Sequence, residues 1–164
     1  MSLADALTSP AGRVAERLVA RGESVAVAES SAGGLISASL LAVPGASRYY
    51  RGGVVVYTLD GARTMLDGAT DLDPGERGAT EMFAHYLAAG AAAKLGADWG
   101  ISETGATGPT GNRYGDPAGH AIVAVAGPGG VLHVEELETG DDDRSANMVA
   151  FAARALEVLA EALT

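Results

Sequence analysis

The residues best suited to chemistry form a short run between an apolar strand-like segment and an apolar helix-like segment. The run consists of Glu29, Ser30, Ser31, Ala32, Gly33 and Gly34. A serine hydroxyl at this position could act as a nucleophile, and the amides at the start of the helix could hold an anion or an oxyanion. The run matches neither a Walker loop nor a dinucleotide fingerprint, so a tight turn with a serine N-cap is the alternative.

A second candidate is the glycine-rich loop over residues 105–119. The glycines of this loop let backbone amides approach a phosphate or carboxylate, and Arg113 offers a planar fork for the same anion. From this loop we take Gly105, Thr107, Gly108 and Arg113 as candidate substrate-binding residues. The alternative is a flexible surface loop.

Three further side chains follow predicted strands. Tyr57 and Asp60 lie near the end of the second strand, at the sheet edge where open α/β folds bind ligands. His120 follows the glycine loop and could act as a base near neutral pH. The alternatives are a strand-end aromatic residue, a helix N-cap and a structural histidine.

Charged residues near the last helix give one more candidate. Arg144 could point at an anionic substrate, whereas we expect the preceding aspartates, 141–143, to be solvated. His85 and His133 have no partner at a recognisable ligand spacing. We therefore predict no metal site and no cofactor.

The pattern of apolar runs and turn residues predicts how these groups are positioned. Strands are expected at 24–28, 54–58, 99–104, 121–126 and 131–137, and helices from Ser9-Pro10 to Gly22 and over 35–43, 60–66, 80–95 and 145–163, with Ser145 as the last N-cap. Strands that alternate with helices and then pair as a hairpin predict a three-layer α/β/α sandwich with a mixed, mostly parallel sheet.

Length and composition limit the classes of protein. The 164 residues fit one domain, 1–164, and 48% are hydrophobic. A net charge of -10 disfavours nucleic acid and anionic membranes as partners. Cysteine is absent, so disulfides and thiolate chemistry are excluded. Met1–Pro10 lacks the features of a signal peptide, and we expect a cytoplasmic protein.

Several separated motifs together resemble one family. They are Ala28-Glu29-Ser30-Ser31-Ala32-Gly33-Gly34, Val43-Pro44-Gly45-Ala46-Ser47, Gly52-Gly53-Val54-Val55-Val56-Tyr57, Thr104-Gly105-Ala106-Thr107-Gly108-Pro109, Pro117-Ala118-Gly119 and Gly140-Asp141 to Arg144. In this order, and over nearly the whole chain, they are similar to the C-terminal domain of CinA, the competence/damage-inducible protein.

The resemblance implies a stand-alone, Rossmann-like α/β domain that is often a homo-oligomer. It also implies hydrolysis of the carboxamide of nicotinamide mononucleotide to nicotinic acid mononucleotide and ammonia. The family's proposed nucleophile corresponds to Ser30, and its pocket tyrosine to Tyr57. Ser47, in the family's Gly-Ser-Ser motif, joins the predicted substrate-binding residues with Glu29, Ser31, Gly33 and Gly34.

The chain departs from the family pattern at basic positions. The position of the family's catalytic lysine is Ala62, and Arg63 beside it stays protonated and cannot readily act as a base. The family's lysine before Pro-Val-Gly is Asp116, and a helix arginine is Met148. We expect His120 to replace the lysine, with Glu29 and Asp60 as competing bases.

Two classes of function follow. The first is an amidohydrolase acting on a nucleotide-like or anionic carboxamide, with nicotinamide mononucleotide or an altered substrate. The second is a catalytically impaired protein on the same scaffold that binds a nucleotide or small metabolite. Fold analogy does not separate them.

Overall fold

The computed structural model describes residues 5–164, so the first four residues of the N-terminal segment considered above lie outside it. The helices are α1 (Asp5–Arg21), α2 (Leu35–Ala42), α3 (Leu59–Leu66), α4 (Glu81–Leu95) and α5 (Arg144–Ala162). The strands are β1 (Val25–Glu29), β2 (Tyr50–Val55), β3 (Trp99–Ala106), β4 (His120–Gly127) and β5 (Val131–Glu138).

The five strands form one mixed sheet in the order β2-β1-β3-β4-β5. β1 pairs in parallel with both β2 and β3, whereas β4 pairs antiparallel with β3 and β5. Among the described strands, β4 therefore runs against the other four. Glu29 of β1 is in register with Val55 of β2 and Glu103 of β3.

Helices cover both faces of the sheet. On one face α1, α2 and α5 pack together and bury residues such as Leu18, Ile36 and Leu156 against β1, β3 and β4. On the other face α3 and α4 bury Leu66, Phe83 and Leu87. The predicted three-layer α/β/α sandwich is confirmed, and burial of these apolar side chains is its main source of stability.

Two predicted helix starts and one alternative interpretation of a helix cap are wrong. α1 begins by Asp5 and carries Pro10 inside it, where the missing N–H costs the helix one hydrogen bond. The N-cap of α5 is Asp143, whose carboxylate accepts from the Ala146 amide at 2.9 Å, so Ser145 lies inside the helix. Thr58 caps α3 through the Gly61 amide at 3.0 Å, so Asp60 is not the cap.

Within residues 5–164, every helix is too short or too polar to cross a bilayer.

Candidate functional site

The candidate site lies where three parallel strands end. β1, β2 and β3 point the same way, so Glu29, Val55 and Ala106 bring the loops that follow them to one edge of the sheet. The Ser30 amide extends the ladder by donating to the Glu103 carbonyl at 3.1 Å. This edge is where open α/β sheets bind ligands.

A cleft of about 330 Å³ opens at this edge. It is lined by Ser30, Tyr57, Thr58, Leu59, Glu76, Gly78, Ala79, Phe83, Thr104, Gly105, Asn112, Arg113 and Tyr114. Four of the predicted site residues, Ser30, Tyr57, Gly105 and Arg113, therefore share one cavity. Its walls come from the loop after β1, the start of α3, the segment before α4, and the glycine loop.

The Glu29 carboxylate is committed to the start of α2. Its two oxygens accept from the amides of Ile36 and Ser37, each at 3.0 Å, and from the Ser37 hydroxyl at 2.7 Å. Glu29 is fully buried. A carboxylate here complements the helix dipole and satisfies N–H groups that have no partner within the helix. These contacts make Glu29 a helix cap, and they leave it poorly placed as a base.

A second buried carboxyl group, that of Glu103, lies behind the Ser30 loop. Its Oε1 accepts from the Ser31 hydroxyl, and its Oε2 accepts from the amides of Ala32 at 2.7 Å and Ser30 at 3.3 Å. Burial raises the pKa of Glu103 from 4.5 to about 7, and the nearby charge of Glu29 also raises it. The hydrogen bonds from Ser31, Ala32 and Ser30 act in the opposite direction and lower this pKa. Amides predicted to hold a ligand anion are thus occupied by the protein's own side chain.

The backbone amides of the two glycines in this loop differ in whether they have a hydrogen-bond acceptor. Gly33 and Gly34 both have positive φ, 67° and 102°, which favours glycine. The Gly33 amide donates to the Ser30 carbonyl at 3.1 Å. Among the described residues none accepts from the Gly34 amide, so this amide is available to an oxyanion. A Cβ on Gly33 would meet Met148 at 2.8 Å, so the methionine covers this side of the loop.

Tyr57 and Arg144 are joined across the mouth of the cleft. The Arg144 guanidinium donates to the Tyr57 hydroxyl at 2.8 Å and to the Gly108 carbonyl at 2.7 Å. Tyr57 is otherwise exposed. Arg144 therefore links the start of α5 to the end of β2 and to the glycine loop, and it orients the tyrosine.

Arg113 is the cation that lines the cleft. Its guanidinium lies 4.9 Å from the centre of the Tyr114 ring and donates to the Tyr114 hydroxyl at 2.7 Å. Arg77 lies against the same ring at 5.0 Å and is paired with Asp116 at 2.9 Å. Arg113 makes no ion pair with a described carboxylate, so its charge is available to an anionic ligand.

The glycine loop is anchored by Asn147, a residue that the sequence analysis missed. The Asn147 side chain is buried, and its amide donates to the carbonyls of Thr107 at 2.9 Å and Asp141 at 2.8 Å. Thr107 is also buried, with its hydroxyl unpaired, and it does not line the cleft. Gly105 lies too close to the His120 carbonyl for any side chain, since a Cβ would approach to 2.5 Å.

His120 lies in a different cleft from Ser30. Its Nδ1 is 2.6 Å from Glu138 Oε1 and 3.9 Å from Glu136 Oε1, and these residues line a second cavity with Arg77 and Asp116. The placement contradicts the expectation that His120 shares the edge of the cleft with Ser30. The reason is the strand order, because β4 lies two strands from β1 and its register places His120 opposite Glu138 of the edge strand β5.

The same three side chains are the described group that could hold a metal ion. The nitrogen of His120 and one oxygen each of Glu136 and Glu138 lie within 4.8 Å of one another. Binding through Nδ1 would move the imidazole proton to Nε2, which is buried without a partner. That shift carries the cost of an unsatisfied buried donor, so a histidine–carboxylate hydrogen bond explains the geometry more simply.

Other predicted residues lie outside the Ser30 cleft. Ser47 precedes the amino end of β2, at the edge of the sheet opposite the cleft, and is exposed. The Asp60 side chain is 97% exposed and 3.8 Å from Arg63. Ala62 is on the buried face of α3, and Lys94 lies on α4 and donates to the Asp67 carbonyl at 3.0 Å. None of these supplies a base beside Ser30.

Two of the missed residues had a signal in the sequence. Glu103 interrupts the apolar strand β3 near its carboxyl end, and an acidic residue inside a buried strand points to a special contact. Glu76, which lines the cleft, comes from a polar segment with no distinguishing pattern. Asn147 is a single polar residue on the apolar face of α5, a weaker signal of the same kind.

The fold and the cleft define a class: an α/β/α protein with a serine loop and a glycine loop at the carboxyl edge of its parallel strands. A family model for the CinA C-terminal domain matches residues 7–163. The chain belongs to this family.

Curated relatives and solved structures agree with this assignment. The chain is 42% identical over 140 residues to a CinA-like protein of Anaeromyxobacter sp. (strain Fw109-5), covering 85% of this chain and 34% of the relative. A CinA-like protein of Gloeobacter violaceus is 43% identical over 119 residues, covering 72% and 28%. The chain thus spans about a third of the length of these relatives.

Two solved structures cover almost the whole chain. The competence/damage inducible protein CihA from Agrobacterium tumefaciens superposes with a TM-score of 0.88 at 32% identity, covering 99% of both chains. A CinA superfamily protein from Klebsiella pneumoniae gives a TM-score of 0.87 at 27% identity, covering 96% and 97%.

Proposed function

We propose that this chain hydrolyses the carboxamide of a nucleotide-like substrate, with nicotinamide mononucleotide as the first candidate, to a carboxylate and ammonia. The observation that carries the proposal is the shared cleft of Ser30, Tyr57 and Arg113. A nucleophile, an aromatic wall and a free cation are what an anionic aromatic carboxamide requires.

In the proposed reaction the Ser30 hydroxyl attacks the amide carbon. The oxyanion of the tetrahedral intermediate is stabilised by the Gly34 amide, and the base returns the serine proton to the nitrogen, which leaves as ammonia when the C–N bond breaks. Water then hydrolyses the acyl-serine ester, which frees the carboxylate and the Ser30 hydroxyl. The serine proton needs an acceptor. Glu76 is the carboxylate that lines the cleft, and it replaces His120 as the proposed base.

Arg113 is the proposed contact for the substrate phosphate. Replacing it with alanine is expected to weaken binding of the mononucleotide about tenfold and to leave binding of the dephosphorylated nucleoside unchanged, because a charge-assisted contact is lost. Calorimetric titration of both ligands measures this. Arg13→Ala on α1 is the matched control. An equal loss of affinity for both ligands would show that Arg113 does not contact the phosphate.

A second function, binding without turnover, is favoured by one observation. The family lysine position, Ala62, is fully buried, and no histidine or lysine is among the described residues that line the Ser30 cleft. A protein that kept the cleft and lost the base would bind the nucleotide and leave its amide intact.

Ammonia release separates the two functions. Pure protein and the Ser30→Ala variant are incubated with nicotinamide mononucleotide, and ammonia and nicotinic acid mononucleotide are measured. Release that is lost in the variant supports the hydrolase. Calorimetric binding with no release above the variant supports the binding protein, and neither binding nor release overturns both.

A further inference from the structure

We propose that Glu103 is a proton-holding positioning residue: when neutral, it lets an anion bind beside Ser30, and when ionised, it repels that anion. The inference rests on the proposed function, because the anion is the carboxylate product or the oxyanion formed from the carboxamide. Glu103 acts through the Ser30 loop and does not line the cleft.

The contacts of Glu103 all come from this one loop. The side chain is fully buried, and its partners are the Ser31 hydroxyl and the amides of Ser30 and Ala32. No described Lys, Arg or His forms an ion pair with it. A buried carboxylate without a counter-charge is costly, and protonation removes that cost.

The loop keeps its shape in either protonation state. A serine hydroxyl can donate or accept, so a proton on Oε1 reverses the hydrogen bond with Ser31 without breaking it. Oε2 remains free to accept from both amides. The change between the two states is therefore a change of charge behind Ser30, with little movement of the backbone.

The groups around Glu103 favour the neutral state. Glu29 faces it from the adjacent position on β1 and brings a like charge. On the other side, β4 places Val123 opposite Glu103. The pKa of about 7 that burial produces lies within the range where a small change of pH changes the charge.

The first experiment measures the proton itself. Infrared difference spectra between the wild-type chain and Glu103→Gln, recorded from pH 5 to pH 9, should contain the carbonyl band of one buried carboxylic acid that disappears with a midpoint near 7. In Ser31→Ala the midpoint should rise, because a donor to the ionised form is lost. Full ionisation by pH 6 would overturn the proposal.

The second experiment measures the effect on ligands. In a Ser30→Ala background, the ratio of affinities for nicotinic acid mononucleotide and nicotinamide mononucleotide is followed from pH 6 to pH 8. The phosphate titrates alike in both ligands and cancels. The ratio should fall about tenfold as Glu103 ionises and should stay constant in Glu103→Gln. Glu16→Gln, on the exposed side of α1, controls for loss of a carboxylate.

Each outcome decides between the claims. A ratio that changes equally in Glu103→Gln and in the wild-type chain overturns the repulsion of the anion, whatever the spectra show. If neither nucleotide binds, the proposed function and the anion effect fail together, while the infrared titration still confirms or refutes proton holding. If Glu103→Gln does not fold, the wild-type and Ser31→Ala spectra supply the test.

Discussion

Glu29 and Glu103 are neighbours in register on β1 and β3, yet their carboxyl groups have different partners. Glu29 accepts from the start of α2, and Glu103 accepts from the Ser30 loop. Both carboxyl groups accept hydrogen bonds from backbone amides that the sequence pattern assigns to a ligand anion. The Gly34 amide and the Arg113 guanidinium are two donors that remain for an oxyanion or phosphate.

The raised pKa of Glu103 predicts a specific dependence of stability on pH. The folded chain holds this proton more tightly than the unfolded chain, so the stability from this group is complete below about pH 4.5 and is lost as the pH rises through 7. The free energy of unfolding of Glu103→Gln, relative to wild type, should rise by about 3 kcal/mol between pH 4.5 and 8.

Urea denaturation at several pH values measures this difference. Glu16→Gln removes an exposed carboxylate from α1 and should track the wild-type chain at every pH. A difference between Glu103→Gln and wild type that stays constant with pH would show that Glu103 titrates alike in the folded and unfolded chains.

α5 positions the site from the opposite side of the sheet edge. Arg144, its first residue, holds Tyr57 and Gly108, and Asn147, one turn later, holds the Thr107 carbonyl. The Thr139 hydroxyl also donates to Asn147 Oδ1 at 2.5 Å. The glycine loop thus takes its position from a helix about 40 residues further along the chain.

Removing the Asn147 amide should loosen that loop. Asn147→Ala leaves buried carbonyls without donors, and we expect a loss of about 2–3 kcal/mol in the free energy of unfolding. Asn147→Asp keeps the acceptor for Thr139 and removes both donors, so it should lose most of the same stability. Amide hydrogen exchange in residues 105–119 should accelerate in both variants, and unchanged exchange would refute the anchoring role.

Gly12 offers a stabilising change within α1. It lies inside the helix, and a Cβ there would meet nothing within 4 Å. Gly12→Ala should raise the free energy of unfolding by about 0.5–1 kcal/mol, because alanine loses less entropy in a helix. Gly90→Ala in α4 is the matched control: its Cβ would meet Leu66 at 3.1 Å, so the gain should shrink or reverse in thermal denaturation.

The apolar face of α5 packs against the core of the described chain. Phe151, Leu156 and Leu159 are fully buried within the described chain. This face of α5 is therefore not free for a second copy of the chain, and the homo-oligomer that the family resemblance implies stays a prediction. The outer side of α5 instead joins β5 through Arg154, which contacts Glu135 at 2.5 and 2.7 Å and Glu157 at 2.9 Å.

Replacing Arg154 measures how much this link between α5 and the edge strand β5 contributes to the free energy of unfolding. Glu135 holds the pKa of Arg154 above its usual value, and the pair is bidentate and partly buried. Arg154→Ala should lower the free energy of unfolding by about 1–2 kcal/mol, less at high salt because screening weakens the pair. Arg13→Ala, exposed on α1, should change it by less than about 0.5 kcal/mol in the same chemical denaturation series.

The order of elements and the position of the Ser30 loop could be predicted because they depend on local patterns. Apolar runs of strand or helix length, separated by glycine and proline, identify β1, α2 and β3, and the shared direction of parallel strands brings Ser30 and Gly105 to one edge. Helix starts depend on a choice between neighbouring caps: α5 begins after Asp143, and Ser145 two residues later is an equally good cap by type.

The partners of buried polar groups depend on contacts between distant segments. Glu103 reaches a loop 71–73 residues away, a pairing that no local spacing encodes. His120 follows the glycine loop in the chain, yet β4 lies two strands from β1, and its register places His120 beside Glu138 of β5. Sequence patterns fix which residues reach an edge of the sheet, whereas strand register and burial fix which groups meet there.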